Sequence, residues 1–505
     1  MAFFPDRLLR GGVVRACLAV LSAGALGGCV FFKSSPAEDE VVRQALPKTT
    51  VVPPTWNAPT RAEGLVANDW LSTFQDPELE EVVRQALANN PDLVAAAARV
   101  ERAQQVVNKV GAQLLPTVGA KASTSGTVNF DGNGPFTAIG AVLGVAWEAD
   151  VWGKLTSQKE AAAASATATT MEYAFAVQSL AAATAKSWYL GTETFQLLRL
   201  SQRASDLYRQ LLVLVEAKAA AGQVGQLEVA EARARLYEAE SQVVQAEGLY
   251  SDARRNLEVL VGRYPAAAIE VHPEFVPVPP PVPPGLPTAL LERRPDLLAS
   301  WRRVQAAFQT LQAAKLALLP SFKLSASGGY LDDPILGTLK LNPSFFNFGV
   351  GLLAPVFDGG ELRAKVAIAS AGQREAIALF GRAALNAFRE VEAALTNEVL
   401  LGAALQALEK ADAARVETVR IARDKFEAGA IDLLPVLQLQ AAQLAVQAEV
   451  IKLRSARLGN RIQLYLALGG GWEGQPAVGV APPSNVLTAG HTGAGKTETA
   501  RSFGP

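Results

Sequence analysis

Histidine, methionine and cysteine are nearly missing from this chain: its 505 residues hold two of each. His272 and His491 supply too little imidazole for a His-based triad or a zinc site, so no metal is expected. Met171 is the only methionine after the start, which excludes a methionine-lined copper relay. An excess of charge of one sign is lacking too. Lys and Arg number 47 against 48 Asp and Glu, and nothing marks a binder of nucleic acid. No run of 18 or more apolar residues occurs, so a chain that crosses a membrane must do so as a β-barrel.

What is present begins at the N-terminus. Arg7, Arg10 and Arg15 precede an apolar run from Ala16 to Leu26, followed by small residues and Cys29. That pattern reads as a secretory signal peptide, residues 1–28. "LGGC", Leu26 to Cys29, has the form of a bacterial lipobox, which would place diacylglycerol and palmitate on Cys29. The plainer alternative is a signal peptide with an incidental cysteine. Val30, rather than Asp, fits sorting onward to the outer membrane.

At the other end, "GHTGAGKT" matches the phosphate-cradling P-loop through Gly490, Gly495, Lys496 and Thr497. Such a loop works where a buried strand delivers it onto a helix N-terminus inside a parallel sheet. Eight residues follow Thr497, too few for that sheet, so the match is read as chance and no nucleotide site or ATPase is expected.

Between the ends lies a duplication. "NNPDLVAAAARVERAQQVVNKVGAQLLP" (Asn89 to Pro116) and "RRPDLLASWRRVQAAFQTLQAAKLALLP" (Arg293 to Pro320) share Pro-Asp-Leu, Arg-Val and Leu-Leu-Pro at an offset of 204. Gly153 and Gly360, Gly222 and Gly429, Leu227 and Leu434, and Gly262 and Gly469 keep an offset of 207. The reading is therefore a lipid-anchored extended segment over 29–68, a first repeat over 69–271, and a proline-rich linker over 272–288. A second repeat spans 289–472 and a disordered tail 473–505.

Each repeat has the same order of parts. A helix opens at Pro-Asp and stops at Leu-Leu-Pro. Two segments of period two follow. One face carries Val118, Ala120, Ala122, Val128 and Phe130, or Phe346, Phe348, Val350, Leu352, Ala354 and Val356; Lys121, Ser123 and Ser125 lie on the other. Such strands suit a lipid-facing, water-lined barrel, or a half-buried sheet in a soluble sandwich. Next come stretches without proline, Ser157 to Ala221 and Glu361 to Ala428, each ending at a turn glycine, Gly222 or Gly429. The return helix predicts a seam at spacings of three and four through Val229, Ala232, Leu236, Ala239, Val243, Ala246, Tyr250, Ala253, Leu257 and Leu260. Four strands cannot close a membrane barrel alone, so membrane-spanning strands demand oligomerisation.

"FQDPELEEVVRQALANNPDL", "WEADVWGKL", "LLERRPDL", "PVFDGGELRA" and "FEAGAIDLLPVLQ", with the lipobox, resemble the TolC-like outer-membrane factor family, in its lipoprotein branch (NodT-like). The resemblance covers about residues 29 to 472. It implies an α+β membrane protein, a homotrimer in which four strands per chain make a 12-stranded outer-membrane barrel, continued by a helical periplasmic tunnel. It implies a passive, gated exit duct in a tripartite efflux system, with a periplasmic adaptor (membrane fusion) protein and an inner-membrane RND transporter as partners, outer-membrane lipid around it and no cofactor. Type I protein secretion is the alternative cargo. Gly222 and Gly429 would form the closed tip. The family's gate, a leucine and an acidic residue four positions on, maps onto Leu434 but meets Gln438 instead of an acid. In the first repeat the matching pair is Leu227 and Glu231. Pro435 also departs from the pattern.

Overall fold

A computed structural model describes residues 44–46, 50–59, 69–127, 136–332 and 344–470. The signal peptide, Cys29, Val128, Phe130 and the P-loop-like residues Gly490, Gly495, Lys496 and Thr497 lie outside the described residues.

Helix α1, Pro77–Asn89, and helix α2, Pro91–Gly111, both start on a proline whose missing N–H costs nothing there. Asp76 accepts from the Leu79 N–H at 3.0 Å, and Asn90 from the Asp92 N–H at 2.8 Å. Strands β1 (Thr117–Thr127) and β2 (Phe136–Ala149) follow, then helix α3, Lys154–Ala220. Its 67 residues extend roughly 100 Å. The Asp150 carboxylate caps its first turn, accepting from Leu155 and Thr156 N–H groups at 2.9 and 2.8 Å. Helix α4, Gln226–Val261, runs back. After the linker and a single turn at Leu290–Arg293, helix α5 (Pro295–Leu316), strands β3 (Ser321–Asp332) and β4 (Ser344–Leu353), and helices α6 (Glu361–Glu427) and α7 (Leu433–Ala467) repeat the order.

The four strands form one antiparallel sheet in the order β1-β2-β3-β4. Its register puts Val118, Val145, Ala326 and Phe348 in one row, and Gly119, Gly144, Ser327 and Asn347 in the next. One face is therefore apolar, and Phe346, Phe348, Val350 and Leu352 on it are exposed. The opposite face is small and polar, with Lys121, Ser123, Lys323 and Ser325. β4 ends at Leu353, so Ala354 and Val356 fall past the strand, not on its face as alternation suggested. No described helix is long and apolar enough to cross a membrane.

The seam of α4 is buried at Val229, Ala232, Leu236, Ala239, Ala246, Ala253 and Leu257, and departs from the expected spacing only in part. Val243, Tyr250 and Leu260 are half-buried, while Val261 is buried with Leu257. A straight helix turns every 3.6 residues, so a strict 3.5 spacing falls one residue behind by the far end of α4, where Val261 takes the place expected of Leu260.

Each repeat is closed by the same pair of contacts. Asn90 Nδ2 donates to the Leu260 carbonyl at 2.9 Å; Arg294, its counterpart, donates to the Ala467 carbonyl at 3.1 Å. Gly262 (φ 77°) and Gly469 (φ 68°) end α4 and α7, and each lies against the main chain just before that capping residue. Around these closures sits the main core, with Phe74, Trp188, Tyr189, Leu257, Val391, Leu458 and Ile462. Glu258, 2% exposed, accepts from the Ala267, Ala268 and Ile269 N–H groups. Burial pushes its carboxyl up, but the three donors and Arg254 outweigh that and hold it below the ordinary value.

The linker is extended, as its prolines require, yet it is no loose tether. His272 and Pro273 carbonyls accept from Thr192 and Gln196, and the Gly285 carbonyl from the Trp56 indole at 3.0 Å. Arg461, 2% exposed, donates to the Pro279 carbonyl at 2.5 Å and to that of Pro280, while Glu398 holds its other edge. Proline-rich backbone offers carbonyls without N–H groups, which suits a residue that only donates.

Two outcomes test this account. An added Cβ at Gly262 would lie 2.6 Å from the Asn89 carbonyl oxygen, whereas at Gly222 it meets open space. Gly222→Ala should cost about 1 kcal/mol, the left-handed strain alone, and Gly262→Ala clearly more; equal falls in unfolding temperature by circular dichroism would contradict it. Because the folded pKa of Glu258 is lowered, its contribution is complete above the unfolded value, about 4.3, and fades as pH falls through the folded one. Unfolding temperatures of the native protein and Glu258→Gln should converge on acidification, and a gap that stays constant would refute this.

Candidate gate at the helical tip

The two long hairpins turn in the same way. Ala219 and Lys218 carbonyls accept from the Gly222 and Gln223 N–H groups at 3.0 and 2.9 Å, and Phe426 and Lys425 carbonyls from Gly429 and Ala430 at 3.0 and 2.8 Å. Gly222 and Gly429 take φ of 73° and 74°, the left-handed conformation that such a stop requires.

The turns pack into one tip. Tyr208, Leu211 and Val215 of α3, Val229 and Leu236 of α4, Phe426 of α6, and Leu433, Val436 and Leu437 of α7 form a separate core there. Lys218 ties the first hairpin to the second. Its ammonium donates to the Phe426 and Glu427 carbonyls at 2.9 and 3.1 Å and lies 4.9 Å over the Phe426 ring. A cation at the carbonyl end of a helix also meets the negative end of its dipole.

Leu227 and Leu434 sit one position into the first turns of α4 and α7, on the side away from that core. They are 77% and 52% exposed within the chain. Gln438 is exposed one turn past Leu434, and Glu231 pairs with Arg235 at 3.3 Å. Each leucine thus stands with its partner four residues on, on an unburied stripe. Pro435 is third in α7, where the N–H has no helical acceptor, so it leaves the helix intact.

Two residues here escaped the sequence reading. Lys218 could have been found from its spacing, since Lys425 stands at the same place before Gly429. Gln440 gave no such hint: it is 1% exposed, and neither amide atom has a hydrogen-bond partner among the described residues. A buried amide left unpaired costs about 1–3 kcal/mol, so this part of α7 is held below its attainable stability. Among the described residues no group of three or more His, Cys, Asp or Glu could hold a metal ion.

Comparison with known proteins bears on what such an object is. A family model described as outer membrane efflux protein matches residues 82–263 and 286–470. The pyoverdine export outer membrane protein OpmQ of Pseudomonas aeruginosa is 32% identical over 480 residues, covering 91% of this chain and 96% of that protein. The multidrug resistance outer membrane protein MdtP of Escherichia coli K12 is 30% identical over 440 residues, covering 81% and 87%. The crystal structure of the open state of the Neisseria gonorrhoeae MtrE outer membrane channel superposes with a TM-score of 0.73 at 25% identity, covering 85% of this chain and 97% of the other.

Lys218→Met keeps the apolar stem and removes the charge. It should cost about 1–2 kcal/mol at the tip and speed amide hydrogen exchange at residues 424–430 severalfold. Unchanged exchange there would show that the lysine does not tie the hairpins.

Proposed function

The chain belongs to the outer membrane efflux protein family, and we propose that it is the gated exit duct of a tripartite pump, assembled from three copies. It is an outer-membrane channel component of an efflux system, not an enzyme, and it extends into the periplasm.

The observation that carries the trimer is the sheet. It has four strands, an exposed apolar face, and two edges, β1 and β4, that no other described strand covers. Lipid tolerates no open edge. Two copies would make eight strands, whose interior side chains would fill, so a duct needs at least three. Twelve strands put the row of Gly119, Gly144, Ser327 and Asn347 around water and Phe346, Phe348 and Val350 toward lipid.

Energy then comes from partners: an inner-membrane transporter and a periplasmic adaptor that docks at the hairpin tip and biases it toward opening. Leu227 and Leu434 of each copy close the tip, with Glu231 and Gln438 beside them; a stripe exposed within the chain favours this reading. Without an acid at 438 the closure of the second hairpin is steric. Diacylglycerol and palmitate on Cys29 anchor the mature chain. The cargo consists of drugs and other small solutes, in line with what the names of the relatives state of them. The role needs no cofactor.

Planar-bilayer conductance tests the duct. The native protein should conduct weakly and without response to ATP, and Leu227→Ser with Leu434→Ser should raise conductance several-fold. Equal conductance in both forms would remove the leucines from the gate.

A further inference from the structure

The duplication relates each contact between the two halves of a chain to a second contact that a single chain leaves unmade. Lys218 of α3 caps the end of α6 by donating to the Phe426 and Glu427 carbonyls. A shift of 207 turns Lys218 into Lys425, and Phe426 and Glu427 into Ala219 and Ala220. The Lys425 side chain is exposed and makes no hydrogen bond or ion pair among the described residues. The step from first half to second is used within the chain, so the same step from the second half leads to another copy.

A different stretch points the same way. On α7, Leu444 lines a groove of about 450 Å³ with Leu200 and Leu207 of α3, and Ile451 is buried one turn before Ser455, whose Oγ stands 3.5 Å from the Tyr189 carbonyl of α3. The shift of 207 turns Leu444 and Ile451 into Tyr237 and Val244 of α4. Both are large and apolar, and they are 61% and 68% exposed. Where α7 has α3 to lie on, α4 presents matching side chains that the described residues of its own chain leave mostly uncovered.

We infer that the surface between neighbouring copies repeats the contact between the halves of one chain: Lys425 caps the carbonyl end of α3 in the next copy, at Ala219 and Ala220, and Tyr237 and Val244 of that next copy seat on α6 of the first. This rests on the trimeric reading and names the residues that make it. The chemistry carries over because the acceptors are main-chain carbonyls, which do not depend on the side chain. The Ala219 carbonyl already accepts from the Gly222 N–H, as the Phe426 carbonyl accepts from Gly429 while also receiving Lys218. Each oxygen has a second lone pair for the ammonium. One part is not repeated. The aromatic ring under Lys218 becomes Ala219, so the tie between copies lacks the cation–π contact and is the weaker of the two. Strong and weak ties would alternate around the tip.

The test uses the full chain in detergent. Lys425→Cys combined with Ala220→Cys, treated with a short bismaleimide, should give covalent dimers and trimers on a denaturing gel, while each single variant gives none. Lys218→Cys with Glu427→Cys should link only within the chain and run as monomer. Native mass spectrometry reports the assembly independently. A trimer by mass that yields no inter-chain product from the 425/220 pair overturns this inference and leaves the duct standing; a monomer overturns both. Lys425→Ala should lower the fraction of trimer that survives mild heating several-fold, with Lys425→Arg restoring it, and equal survival in all three forms would also count against the tie.

Discussion

Everything in this structure hangs on the closure of each repeat, where the residue before Pro-Asp reaches the last carbonyls of its own return helix. The contact joins residues far apart in the chain, Asn90 to Leu260 and Arg294 to Ala467. It permits only glycine at 262, where the main chain approaches too closely for a side chain and φ is left-handed. Once the ends of a repeat are joined, the strands must leave on one side and the hairpin on the other. A sheet and a tip some tens of ångströms apart follow from one hydrogen bond and one glycine per repeat.

The second closure is built of stronger material than the first. Asn90 is neutral, whereas Arg294 is a buried cation that also holds Asp296 at 3.0 and 2.8 Å and Glu390 at 2.8 Å. Burial lowers its proton affinity, and the two carboxylates more than restore it. Arg461, clamped by Glu398 and the proline carbonyls, adds a second buried cation in the same half. Removing one partner of such a pair leaves a charge stranded in low dielectric, so these contacts fix one arrangement rather than merely adding stability.

Much of this was legible in the sequence because periodicity and stop residues are local. Proline at helix starts, glycine at the turns, period two over the strands and the offset of 207 all state backbone facts within a few residues, and the described helices and strands follow those marks except at the end of β4, where Ala354 and Val356 fall past the strand. What was illegible depends on partners far along the chain. The linker's docking needs Arg461 about 180 residues away, and Lys218 needs carbonyls about 208 away. The drift of the α4 seam was hidden for a different reason: a repeat of 3.5 and a turn of 3.6 fit a short window equally well and part only over many turns. At the tip, the leucine and turn-glycine positions could be read, but not that Gln440 would be buried without partners.

The two hairpins, alike in outline, are not held alike at their tips. In the first, Glu228 accepts from the Gly225 N–H at 2.9 Å, so the start of α4 is fastened to its own turn. In the second, Asp432 stands at the start of α7 without a side-chain capping bond, and Gln440 is buried unsatisfied two turns further on. The first hairpin also reaches across to hold the end of α6 through Lys218, and the corresponding lysine of the second returns no such bond inside the chain. Local opening draws on the least fastened segments of a fold. The start of α7 has fewer fastenings than the start of α4 and carries Leu434, so the less fastened hairpin is also the one that bears the proposed gate residue of the second repeat. If the tip closes the duct as proposed, the segment that must move to open it is the one held by the fewest contacts of its own, so a partner has the least to overcome there.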